Sequence, residues 1–161
     1  MVFNQGSLVI GGSFIAALIL TILPLPQWAI PFRPEWVLLT LFYWGIALPQ
    51  RVGIFSGWLS GLLVDVAQGM ILGQNALLFT LFAYITSRLS LRLRIYHPWR
   101  QAILLFLMAL TLQLESLIIH GIIDTPERVD FTLWLPPITT MLLWPSVLLL
   151  LRNLRQGLGV E

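Results

Sequence analysis

Between Arg51 and Arg88 the chain carries a single charge, the carboxylate of Asp65, in about 36 residues. At ~1.5 Å of rise per residue a helix of that length would reach about 54 Å. The hydrocarbon core of a bilayer is ~30 Å thick, so the stretch is too long for one crossing and about right for two. Helix breakers and amides gather at Gln68-Gly69 and Gly73-Gln74-Asn75, which predicts a tight uncharged turn there. The same stretch spaces Gly53, Gly57, Gly61, Asp65, Gly69 and Gly73 four apart. Each such step advances a helix by ~400°, so the stripe drifts by ~40° per step. Gly53, Gly57 and Gly61 therefore share a face, Asp65 lies at its edge, and Gly69 and Gly73 belong to the turn. Small residues at this spacing let a second helix approach closely. That helix can belong to the same chain or to a partner.

Composition places the whole chain in the same class. Of its 161 residues 58% are hydrophobic and 10% charged, where a soluble domain is ~25% charged. The length suits one domain, and the polar runs are too short to fold as a water-soluble unit. Any activity must sit in the membrane or at its surfaces. The nine basic residues are all Arg, and a net charge of +2 does not point to nucleic acid. With no cysteine, disulfide and thiolate chemistry are excluded.

An all-α protein with six membrane spans follows, at roughly 8–23, 34–49, 53–69, 75–88, 102–123 and 131–151. The first run lacks a basic leader segment and a small-x-small cleavage site, so it is read as a retained span. The second is short for a ~20-residue crossing and starts at Pro34, which suits a first helical turn. Pro145 interrupts the ladder of the sixth. Residues 88–100 read as a basic, aromatic-flanked loop, and residues 124–130 as an acidic one.

Arginine placement orients these spans. With six crossings, one side holds Arg51, Arg88, Arg92, Arg94, Arg100, Arg152 and Arg155, and the other holds Arg33 and Arg128. The arginine-rich side is the cytoplasmic one, which puts both termini in the cytoplasm. Each arginine there adds ~1 kcal/mol of attraction to an anionic membrane surface.

The intramembrane polar residues are candidates for function, because a charge in an apolar span is costly. Asp65 lies ~18 Å in from the cytoplasmic side and Glu115 ~21 Å, so the two carboxylates sit at comparable depth. Thr111, Gln113, Ser116 and His120 surround Glu115 in sequence. His120 reads as interfacial and His97 as solvated, and two distant histidines do not make a metal site. Catalytic readings lack their residues. Ser56-Gly57 and Ser60-Gly61 miss the preceding glycine of an intramembrane serine protease, only one aspartate lies within a span, and there is no phosphate-binding glycine loop with Lys. No enzyme and no cofactor is expected.

Several ordered segments carry a resemblance. They are FRPEWVLL (Phe32 to Leu39), YWGIALPQRVG (Tyr43 to Gly53), GLLVD (Gly61 to Asp65), GMILGQNAL (Gly69 to Leu77), AYI (Ala83 to Ile85), and LLWP (Leu142 to Pro145) followed by LLLLRNLRQ. In their order and spacing the chain resembles the rod shape-determining protein MreD family. Arg33, Pro34, Trp36, Arg51, Gly69 and Gly73 fall in these matched segments. The N-terminus departs from the family in having no basic residues. The resemblance implies a six-helix inner-membrane protein of the cell-elongation machinery, working with MreC, MreB, RodA and penicillin-binding protein 2. It also implies a fold similar to the substrate-binding S components of energy-coupling-factor transporters. Two functions are therefore carried forward. One is a scaffold that binds the MreC transmembrane helix through a face such as Gly53, Gly57 and Gly61. The other is a membrane binding or transport module in which Asp65, Glu115 and His120 line a pocket for a small molecule or lipid-linked precursor.

Overall fold

The computed structural model describes residues 2–122 and 131–157, with all side chains among them but those of residues 2–5, 120 and 133. The described residues form α1 (Val2–Ile22), α2 (Trp36–Ala47), α3 (Ile54–Gln68), α4 (Gln74–Ile95), α5 (Pro98–Ile122) and α6 (Leu135–Gly157). Short 3-10 turns lie at Ile30–Phe32 and Phe131–Trp134, and there is no strand among these residues. The predicted acidic loop at 124–130, Arg128 included, lies outside the described residues.

The bundle is built around its shortest helix. α2 has 12 residues, and every one from Val37 to Ala47 is buried. α1, α4 and α6 pack around it, α3 packs mainly on α4, and α5 on α6. Trp44 and Trp144 are fully buried, and the Trp144 ring meets Phe42 edge-on at 5.1 Å. Trp44 also donates its indole N–H to the Ser13 hydroxyl at 2.8 Å, fixing α1 to α2. Gly45 brings α2 against α4, where an added Cβ would lie 2.9 Å from the Thr86 methyl.

Helix ends meet in a way that fixes direction. Arg33, just before α2, donates to the carbonyls of Thr21 at 2.7 Å and Leu23 at 2.5 Å, at the end of α1. The Glu35 N–H, capping α2, donates at 3.0 Å to the Thr140 hydroxyl near the start of α6. At the opposite end Arg94, late in α4, donates to the carbonyls of Ile46 and Ala47 that finish α2. Successive helices thus alternate in direction, and both described chain ends lie at the Arg94 end.

Two boundaries differ from the sequence reading. α4 runs on to Ile95, so Arg88, Arg92 and Arg94 stand on a helix, not in a loop. Thr86, Ser90 and Leu93 keep one side of this extension buried while Arg88 and Arg92 point outward, an amphipathic arrangement at helical spacing. α5 begins at Pro98, where a missing N–H costs nothing, and leaves only Tyr96-His97 as connection. α6 continues through Pro145 as one helix.

α4, α5 and α6 are long and apolar enough to cross a membrane, α1 is apolar over Gly6–Ile22, and α3 is a shorter apolar helix. At ~1.5 Å per residue α2 covers only about 18 Å of a ~30 Å core. Being enclosed by its neighbours, it has no need to match the lipid. What its shortness leaves is a recess beyond each of its ends.

Candidate functional site

The α3–α4 hairpin absorbs most of the four-spaced stripe. A Cβ built on Gly57 would lie 2.5 Å from the Phe79 carbonyl oxygen and 2.7 Å from the Ala83 Cβ. One on Gly61 would fall on the Ala76 Cα and lie 2.7 Å from its backbone nitrogen. The glycine face therefore seats the chain's own α4. Gly53 is apart from it: it precedes α3, and its nearest neighbour in that direction is the Pro49 carbonyl at 3.9 Å.

Asp65 is wholly buried at the far end of that contact. Its carboxylate accepts the N–H of Gly73 at 2.9 Å, of Asn75 at 2.9 Å and of Ala76 at 3.4 Å. These are the orphan donors of the first turn of α4, which Gly73 cannot cap because it has no side chain. The negative charge also faces the positive end of the α4 dipole. Gly69 ends α3 with φ +66°, and Gly73 starts α4 with φ +101°. Asp65 is thus a cap that closes the hairpin.

Glu115 lies on α5 within electrostatic reach of Asp65, without a hydrogen bond between them, and its buried Oε2 has no partner. The side chain of His120 lies outside the described residues. A recess of about 180 Å³ opens at this end of α2, lined by Arg33, Glu35, Gln68, Gln74, Asn75, Gln113 and Ser116 among others. Neither Asp65 nor Glu115 lines this recess. Pro34 is buried beside it and Trp36 half-buried in the first turn of α2.

The other end gathers the arginines. Arg51, Arg88, Arg92 and Arg100 are exposed. The Arg88 guanidinium sits 5.5 Å from the Tyr84 ring centre, and that of Arg100 sits 5.7 Å from Tyr96 and 5.6 Å from Trp99. Arg94 and Arg152, also exposed, and the half-buried Arg155 line a recess of about 450 Å³ beyond the end of α2, together with Tyr43, Tyr96, Gln101 and Trp144. Arg152 and Arg155 lie within electrostatic reach of the Tyr43 hydroxyl. Gln101 donates to the Leu93 carbonyl at 2.7 Å and accepts from the Trp144 indole at 3.1 Å. Sequence reasoning missed Tyr43 and Gln101. Each is a polar side chain inside or beside an apolar run, which was the available signal. Among the described residues no His, Asp and Glu group could hold a metal.

An all-helical bundle of apolar helices, short at its centre and with most of its described basic residues gathered at one end, is a membrane protein. The comparisons with known proteins define it further. The family model for rod shape-determining protein MreD matches residues 3–154. A rod shape-determining protein MreD of Haemophilus influenzae is 32% identical over 146 residues, covering 89% of this chain and 88% of the relative. No solved structure matches. The chain belongs to the MreD family.

Proposed function

We propose that the chain is a non-enzymatic scaffold of the bacterial inner membrane, with six spans and cytoplasmic termini. It acts in the cell-elongation complex. There it binds the transmembrane helix of MreC and helps couple the MreB cytoskeleton to peptidoglycan synthesis by RodA and penicillin-binding protein 2. Family membership is the observation that carries the shape-determining role. The gathering of arginines at one end supports the orientation.

The glycine face of α3 is taken by α4, so a partner helix needs another surface. α1 offers one. Gly11 and Gly12 have nothing within 4 Å of an added Cβ, and Ala16 is exposed one turn further on. Gly12 and Ala16 form a small-xxx-small pair between exposed Leu8, Ile15 and Ile19, the surface that close helix docking requires. In a rod-shaped bacterium depleted of its own copy, the wild-type chain restores rods, while Gly12→Leu inserts normally and leaves cells round. Rods with both Gly12→Leu and Ala16→Leu would refute this reading.

A binding module for a small molecule or lipid-linked precursor is the second reading. The recesses at the two ends of α2 favour it. Asp65 does not contribute, since its oxygens are already committed to α4.

A further inference from the structure

The recess at the arginine end of α2 has a chemistry that helix association does not use. Three guanidiniums from two helices, Arg94 on α4 and Arg152 and Arg155 on α6, line one volume of about 450 Å³. Among the described residues, no carboxylate lines it. Like charges repel, and although water screens the exposed Arg94 and Arg152, an anion joining all three would relieve that repulsion further.

Arg94 is also held in place. Arg94 uses Nε and one terminal nitrogen on the Ile46 and Ala47 carbonyls at 2.9 and 2.7 Å, which leaves its other terminal nitrogen free of those bonds. Arg152 and Arg155 both lie within electrostatic reach of the Tyr43 hydroxyl. A guanidinium has five N–H donors, so one anchoring bond leaves several for a ligand. Gln101 is fully engaged, and serves the wall of the recess. Pro98 lines the recess as well, so the 25-residue α5 directs its N-terminal, positive end there. Guanidiniums in a fork, a phenol and a helix N-terminus match the oxygens of a phosphate group. The buried Trp144 and Ile46 line it as well, at the arginine-rich end of the bundle.

We infer that Arg94, Arg152 and Arg155, with Tyr43, form a binding site for a phosphate group, carried either by an anionic lipid headgroup or by a free anion. The site stands apart from MreC association, and its test contains no MreC, so either proposal can fail alone.

The experiment uses the purified full chain in non-ionic detergent. Native mass spectrometry measures binding of phosphatidylglycerol, of diacylglycerol as the same chains without phosphate, and of inorganic phosphate. One phosphatidylglycerol per chain is expected to bind in preference to diacylglycerol. The double variant Arg152→Gln/Arg155→Gln should weaken it by about tenfold or more. The matched double variant Arg88→Gln/Arg92→Gln, which removes two charges from the outer surface of α4, should weaken it several-fold less. Arg94 is left unchanged because its loss would also uncap α2. If inorganic phosphate binds and competes, the source is a free anion; if the lipid binds and phosphate does not compete, it is a headgroup. Equal effects of the two double variants, no effect of the Arg152/Arg155 pair, or no preference for phosphate-bearing probes would overturn the assignment.

Discussion

The carboxylate of Asp65 accepts the backbone N–H of Asn75, ten residues on, at 2.9 Å, and so ties the end of α3 to the start of α4. An N-cap residue normally does this from its own position. Here the N-cap is Gly73, and the acceptor comes from the preceding helix. A charge inside an apolar hairpin is thereby matched by three donors and a helix dipole. The same hairpin depends on Gly57 and Gly61, so the carboxylate and the glycines serve one contact.

Removing that acceptor should unfold the hairpin more readily. Asp65→Ala leaves buried N–H groups unpaired and should cost about 2–4 kcal/mol. Asp65→Asn keeps one acceptor oxygen and should cost less. Thermal unfolding of the purified protein in detergent checks the order. An Asp65→Ala protein as stable as the wild type would contradict the capping role.

Adding one methyl group should separate the internal glycines from the open one. Gly57→Ala and Gly61→Ala press Cβ atoms onto the α4 backbone and should each cost about 1–3 kcal/mol. Gly12→Ala meets open space on α1 and should gain up to about 1 kcal/mol from helix propensity. The same unfolding midpoints test it, and a loss at Gly12 equal to that at Gly61 would go against it.

The turn glycines should tolerate asparagine unequally. At φ +66° Gly69 lies in the left-handed region that Asn visits, whereas Gly73 at +101° lies outside it. Gly69→Asn should shift the unfolding midpoint little. Gly73→Asn should cost about 1–2 kcal/mol. Equal shifts would count against this account of the turn.

The helical class, the turn at 69–73 and the arginine asymmetry were legible in the sequence, because apolar period, glycine and charge are written there directly. The end of α4 was not. Arg88, Arg92 and Arg94 read as a loop because charge suggests water, yet long arginine stems can leave a helix sideways while Leu93 stays buried. The central place of α2 was hidden too, since a short apolar run looks alike whether it faces lipid or protein. Asp65 stood out as a buried charge, but its partners are backbone N–H groups, which leave no side-chain signature. The one available clue was the absence of a capping residue at Gly73. The arginine recess escaped notice because its members come from α2, α4, α5 and α6, which only the packing brings together.

Whether α1 is the docking helix can be read most directly by site-specific photo-cross-linking in membranes that contain MreC. A cross-linking residue at Ala16, on the open face of α1, is compared with one at Leu142, which is 69% exposed on α6. The account predicts an MreC adduct from Ala16 and none from Leu142. An adduct from Leu142 alone, or none from either position while MreC still co-purifies, would contradict it.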